Sequence, residues 1–207
     1  SFDVLNEHPL NLMRAAKGLR KANSLWFWSP GKKPSLPSFT ERTGLSGSVV
    51  CAVDLIKGIG ICAGMHVPYV EGATGTLDTN YRGKADTALE ELKTHDLVYI
   101  HVEAPDECGH QGNTADKIKA IENIDEYILR PVMKELERRG EHFRLLLLPD
   151  HPTPIALRTH VREPIPFVIY DSEDHPQSGV PSYFDHSGDN GVFVADGDKL
   201  IDMLIRK

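Results

Sequence analysis

Residues 97–110 read LVYIHVEAPDECGH: an apolar run, Leu97 to Glu103, broken by Ala104-Pro105 and followed by Asp106 and His110 four positions apart. A short Val- and Ile-rich run bounded by a proline reads as a strand buried on both faces, as in a parallel sheet covered by helices. The residues after it read as a loop, from which a carboxylate and an imidazole can reach one ion. Working outward, the same pattern recurs. Arg144 to Pro149 is a second apolar strand ending in Asp150-His151, and Ser48 to Asp54 and Ile165 to Tyr170 complete the set. Between them lie helical patterns. Ala85, Ala88, Leu89 and Leu92 repeat at helical spacing within Lys84 to Lys93, and Ile118, Ile121, Ile124, Ile128, Val132 and Leu136 form one stripe after Asn113. Pro131 is expected to bend that second helix and Gly140 to end it. Strands alternating with helices make an α/β fold, in which ligands sit beyond the carboxyl ends of the strands.

Ahead of the first strand, Pro9 to Asn23 is predicted as an amphipathic helix, and the Pro/Gly-rich turn from Ser29-Pro30-Gly31 to Pro37 as a domain boundary. Composition sets the class of partner. The 207 residues are 40% hydrophobic and 26% charged, enough for a core of one domain, and the net charge of -7 with no long Lys/Arg cluster argues against nucleic acid. No apolar run approaches the length of a membrane span. Cys51, Cys62 and Cys108 form neither an even disulfide set nor a close-spaced zinc pattern, so reduced thiols in the cytoplasm are expected. The chain opens Ser1-Phe2-Asp3 with its first methionine at Met13, which fits a missing beginning or a processed one.

The candidate site is the joint placement of Asp106, His110, Asp150, His151 and His160 at the ends of neighbouring strands. Each piece alone is a common surface pattern; together they are a mixed nitrogen and oxygen set suited to Zn²⁺ or Mn²⁺. The remaining histidines, His8, His66, His95, His101, His142, His175 and His186, read as structural or solvent-facing, with His66 in a loop able to face the site. Cys108, beside acidic Asp106 and Glu107, reads as a space-filling residue rather than a nucleophile.

At Glu103-Ala104-Pro105-Asp106-Glu107-Cys108-Gly109-His110, Ile118-Lys119-Ala120-Ile121-Glu122-Asn123-Ile124-Asp125, Pro149-Asp150-His151 with His160, and Pro164-Ile165-Pro166-Phe167, the chain resembles the cofactor-independent phosphoglycerate mutases of the alkaline phosphatase superfamily. Trp26-Phe27-Trp28, Gly75-Thr76-Leu77-Asp78-Thr79-Asn80 and Lys84-Ala85 resemble the archaeal-type branch, some of whose members carry a homoserine kinase label. The resemblance implies an alkaline-phosphatase-like three-layer sandwich with a central, mostly parallel sheet, incomplete at the amino terminus. By it, residues 1–30 are the tail of an inserted substrate-binding domain and linker, and residues 31–207 the carboxy-terminal part of the metal-binding domain.

The same resemblance implies two divalent ions, one on Asp106, His110 and His160, the other on Asp150 and His151, with Lys57 touching the phosphoryl group of phosphoglycerate. The family's nucleophilic Ser and an early Asp ligand have no counterpart in this sequence, so the missing amino-terminal region of the same protein is the implied partner. The chain alone is expected to be inactive. A metal-dependent phosphatase or phosphodiesterase of the same superfamily, or a non-catalytic partner domain, is the alternative.

Overall fold

The computed structural model describes residues 1–27, 30–174 and 180–205; Trp28, Ser29 and His175, named above, lie outside the described residues. The chain divides into two compact units, Ser1–Ser35 and Leu36–Lys207.

In the first unit a short helix α1 (Phe2–Leu5) precedes α2 (Pro9–Ala16), whose start is set by Pro9 in its first turn and by the His8 imidazole, which accepts from the Leu10 amide. The predicted helix to Asn23 stops early. Gly18 takes the left-handed conformation at φ +70°, and the amides of Gly18 and Leu19 close back onto Ala15 and Arg14. Beyond it Asn11, buried within α2, donates to the Leu5 and Ala22 carbonyls and accepts from the Ala22 amide. Those bonds hold the backbone at Ala22 in place of a helical ladder.

The second unit opens with α3 (Phe39–Thr43), started by a capping box between Ser38 and Glu41. Strand β1 (Gly47–Val50) is buried throughout. Val53 then caps α4 (Asp54–Cys62), so the strand expected to reach Asp54 yields its end to a helix. After α5 (Tyr81–Glu91), strand β2 (Leu97–Ile100) pairs parallel to β1 with Val49 opposite Tyr99. The stretch after β2 is not a loop. It is α6 (Ala104–Gln111), with Pro105 in its first turn and Gly112 closing it at φ +70°. An αL glycine stop and an N-terminal proline are both legible as helix punctuation, and they outweigh the acidic, loop-like composition between them.

Helix α7 (Thr114–Ile124) runs through a π turn (Asp125–Leu129) into α8 (Arg130–Arg139), which ends at Gly140 in the left-handed region. Pro131 is thus accommodated by a widened turn just before it, where the missing donor costs least. The turn inserts about one residue, which rotates the helix face by about 100°. The predicted stripe is split in consequence: Ile128 and Val132 are 3% and 6% exposed, whereas Ile118 and Ile121 are 54% and 52% exposed and Ala120 is buried in their place.

Strand β3 (Arg144–Leu147) pairs antiparallel with β4 (Val168–Asp171), three residues later than the Ile165 start expected, and α9 (Leu200–Ile205) closes the described chain. Helices and a parallel pair make the class α/β, with the described strands arranged as two pairs. Tyr81, Ala85, Ala104, Ala120, Ile128, Val132 and Leu136 form the main core. Leu97–Val102 and Phe143–Asp150 line a cavity of about 710 Å³, floored by Ile128 and Val132 and reached by Leu204 of α9. No helix of the described residues is long and apolar enough to cross a membrane.

Candidate metal centre

Residues four apart on a helix share a face, so α6 carries Asp106 and His110 toward the same point. The His110 Nε2 lies 3.3 Å from Asp106 Oδ2. His160, in irregular chain after β3, brings its Nε2 to 3.3 Å from Asp106 Oδ1 and 3.0 Å from His110 Nε2. Bonds of about 2.0–2.2 Å from a tetrahedral Zn²⁺ place neighbouring ligand atoms about 3.3–3.5 Å apart. The observed spacings are close to these, with each imidazole facing a different oxygen of Asp106.

The hydrogen bonding turns one ring atom toward the cluster. His110 Nδ1 is 3.0 Å from the Arg158 carbonyl, which can only accept, so Nδ1 carries a proton and Nε2 is the atom presented to Asp106 and His160. Arg158 holds its carbonyl there from the left-handed region, at φ 55°, a conformation side chains other than glycine rarely adopt. Thr153, buried, donates its hydroxyl to Asp106 Oδ1. Its carbonyl in turn accepts from Lys117 Nζ at 2.7 Å. Helix and loop approach so closely that a Cβ on Gly109 would stand 2.6 Å from the Thr153 carbonyl oxygen.

Asp150 and His151 reach the same neighbourhood in a different way. The His151 ring lies against that of His160 with centroids 3.6 Å apart, and its Nδ1 is 3.3 Å from the Thr153 hydroxyl. Asp150 stays more exposed, accepting from the His151 amide at 3.0 Å, with its Oδ2 3.4 Å from His151 Nε2. Among the described residues this pair gathers no third ligand. Lys57 sits half-buried on α4, paired with Asp54 at 3.0 Å.

Five groups near the site were not assigned to it from sequence. Tyr99, His101 and Glu103 alternate along β2 and its extension, so they project to one side. His101 is buried, which leaves the structural half of its expected reading and not the solvent-facing one, with its Nδ1 unpartnered and its Nε2 3.5 Å from Glu103 Oε2. Burial lowers the His101 pKa, with Lys84 and His151 acting the same way and Asp150 and Asp106 opposing. Glu103 is raised, first by burial, then by repulsion from Asp106, Asp150 and Glu107. Oxygens of Glu103, Asp106 and Glu107 lie within 4.8 Å of one another, so the site concentrates negative charge that a cation relieves. Lys84, fully buried, donates to the His101 carbonyl at 3.1 Å and is pushed down to about 8, chiefly by burial. The period-two alternation was the available signal for His101 and Glu103; nothing local marks Lys84 or Thr153. Cys108 is buried and its thiol raised, by burial first and then by Asp116, with Glu107 adding to it and Lys117 opposing, in keeping with a space-filling role.

Three comparisons bear on the arrangement. The sequence matches the Metalloenzyme superfamily over residues 8–201. It is 49% identical, over 98% of its own length and 51% of the relative's, to the probable 2,3-bisphosphoglycerate-independent phosphoglycerate mutase of Geobacter sulfurreducens. It is 50% identical, again over 98% and 51%, to the 2,3-bisphosphoglycerate-independent phosphoglycerate mutase of Methanosarcina acetivorans. Among solved structures, the PH0037 protein from Pyrococcus horikoshii superposes with a TM-score of 0.71 at 32% identity, over 82% of this chain and 44% of that one. The cofactor-independent phosphoglycerate mutase from Thermoplasma acidophilum gives 0.60 at 26% identity, over 99% and 48%. The chain spans about half the length of the curated relatives it matches.

Proposed function

The chain belongs to the Metalloenzyme superfamily, and from that premise we propose that it is the metal-holding part of a 2,3-bisphosphoglycerate-independent phosphoglycerate mutase, which interconverts 3-phosphoglycerate and 2-phosphoglycerate. The observation that carries this reading is the Asp106, His110 and His160 triangle, found on a chain 49% and 50% identical to proteins bearing that name.

In this reading Asp106, His110 and His160 hold one divalent ion, Mn²⁺ or Zn²⁺, and Asp150 and His151 contribute to a second. When bound, such ions lower the pKa of a nucleophile and offset charge on the phosphoryl oxygens. The chain's own residues prepare for them. Arg158 fixes the tautomer of His110, and Thr153 orients Asp106 by donating to its Oδ1. Lys57, half-buried on α4, is assigned to the phosphoryl group. No serine of this chain is assigned as nucleophile; that group and the residues holding phosphoglycerate belong to the rest of such a mutase. Residues 1–30 are read as the end of its inserted substrate-binding domain. The largely apolar cavity between β2 and β3 supports a further segment packing there. The cytoplasmic expectation rests on the three free thiols.

The test is turnover. A full-length protein carrying this chain is expected to convert 3-phosphoglycerate to 2-phosphoglycerate in a divalent-ion-dependent assay, and Asp106→Ala is expected to abolish it. Release of inorganic phosphate in place of mutase product would establish a phosphatase and overturn the reading, as would full activity in the Asp106→Ala variant. The chain alone is expected to bind metal without turnover.

A further inference from the structure

A second cluster of ligand-type side chains lies at the opposite ends of the same strands. His66 sits in the segment that bridges to β1 at Ser48, Glu91 ends α5, and His95 follows in the turn leading into β2. Their ligand atoms lie within 4.8 Å of one another. His66 Nδ1 is 2.7 Å and His95 Nδ1 3.4 Å from the same oxygen, Oε2 of Glu91. The imidazole planes are parallel, with centroids 5.6 Å apart. Glu91 and His95 are four residues apart at a helix end, so their relative placement is built in. His95 Nδ1 also lies 3.2 Å from the Glu91 carbonyl and 3.1 Å from the Thr94 hydroxyl, contacts that coordination through this nitrogen would exchange for the ion.

Behind the carboxylate stands an independent feature. The Ser48 hydroxyl is fully buried, with no partner at hydrogen-bonding distance, and it faces Glu91 closely enough to help lower that group's pKa. Burial pushes Glu91 up, but His66, Ser48 and His95 together outweigh it, so a charged carboxylate is held between two imidazoles.

We propose that His66, Glu91 and His95 form a separate site for a borderline divalent cation of the Zn²⁺ class, independent of the mutase reading. Two imidazole nitrogens and one carboxylate oxygen are a known Zn²⁺ donor set that leaves a fourth position for water, and they are too few oxygens for Ca²⁺ or Mg²⁺. Tetrahedral coordination asks for ligand atoms about 3.4 Å apart. The His95 edge has that length already; the His66 edge must open by roughly 0.7 Å by the same geometry, which a side chain 55% exposed can do by rotation. A cation here joins three segments: the strand-bridging residue His66, the end of α5 and the entry to β2. It lies at the amino-terminal end of β2, whereas Glu103 and α6 follow the carboxyl end of that strand, so it takes no part in chemistry there.

The experiment uses the metal-stripped chain and Zn²⁺ alone. In an Asp106→Asn, His110→Ala, His160→Ala background, calorimetry and metal counting are expected to find one equivalent still bound, with a rise in melting temperature of about 5 °C at saturating Zn²⁺. Adding His66→Ala, or in its place Glu91→Gln, is expected to remove that equivalent and the stabilisation. In the otherwise unaltered chain, His66→Ala is expected to lower the bound stoichiometry by one, which keeps the test open if the triple background folds poorly. Zn²⁺ stoichiometry unchanged by both His66→Ala and Glu91→Gln would overturn the proposal, as would absence of binding in a folded triple background.

Discussion

Asp106 with His110, and Asp150 with His151, are both Asp and His pairs following a strand, yet they are held by different means. The first pair sits one turn apart on a helix that begins at a proline, ends at an αL glycine and is packed against Thr153. The second pair is adjacent in irregular chain, where Asp150 bonds mainly within its own dipeptide. A helix fixes the relative position of two ligands internally; neighbours in a loop rely on whatever packs around them. The first pair therefore closes a three-ligand set with His160, and the second awaits further donors.

Breaking the first pair should give the largest effect. His110→Ala is expected to weaken Zn²⁺ binding at that cluster by more than about 100-fold, exceeding the effect typical of an outer-shell partner, while Asp150→Asn changes it less than about 3-fold by the same scale. Titration calorimetry on the two variants measures this directly. Equal losses would mean that the two pairs act as one site. Melting temperatures of the metal-free variants separate lost ligation from lost folding, since His110 sits in a packed helix rather than in the surface loop its sequence suggested.

A smaller effect should come from moving the helix without touching a ligand. In Gly109→Ala the new methyl meets backbone, the Thr153 carbonyl oxygen at 2.6 Å, as well as the Thr153 Cγ2 at 2.9 Å. Overpacking of this kind costs about 1–3 kcal/mol. The displaced helix should also lose about 10-fold in metal affinity, as for a disturbed outer shell. Denaturant melts and Zn²⁺ titration check both. Gly58→Ala, whose Cβ meets nothing within 4 Å, is the matched control and should be neutral or slightly stabilising.

The contrast also marks what the sequence could tell. The strand positions, the alternation with helices and the stop at Gly140 were legible, because burial patterns and helix punctuation are local properties; the grouping of Asp106, His110 and His160 apart from Asp150 and His151 came only from the family resemblance. The helical nature of residues 104–111 was obscured by Asp106, Glu107, Gly109 and Gly112, although the Pro105 start and Gly112 stop were visible. The exposure of Ile118 and Ile121 could not be read from a 3.6-residue period, because a π turn that no residue type encodes shifts the face. His101, Lys84 and Thr153 were missed for another reason. Their importance lies in contacts between segments distant in sequence, the Lys84 ammonium on the His101 carbonyl and the Thr153 hydroxyl on Asp106.

Lys84 supplies the last and smallest test of how firmly the helix-bound pair is held, since it anchors the backbone three residues before α6 begins. Its folded pKa is pushed down to about 8 from 10.5, mainly by burial. A cation with a lowered folded pKa holds fewer protons when folded than when unfolded between those values, so its contribution to stability rises with pH from about 8 to 10.5 and is flat outside that window. The raised thiols and phenols, among them Cys51 and Tyr81, act in the opposite sense as pH rises, so the raw profile mixes both. The difference between the original chain and Lys84→Met isolates the lysine. Below pH 8 the variant is relieved of a buried charge but loses the bond to His101; across the window the original chain gains relative to it as its own ammonium is neutralised. Denaturant melts of both at pH 7.5, 9 and 10.5 read that gain. A difference that stays constant over the three pH values would mean that Lys84 keeps an ordinary pKa, and with it enough contact with water that it does not pin the end of β2 at all.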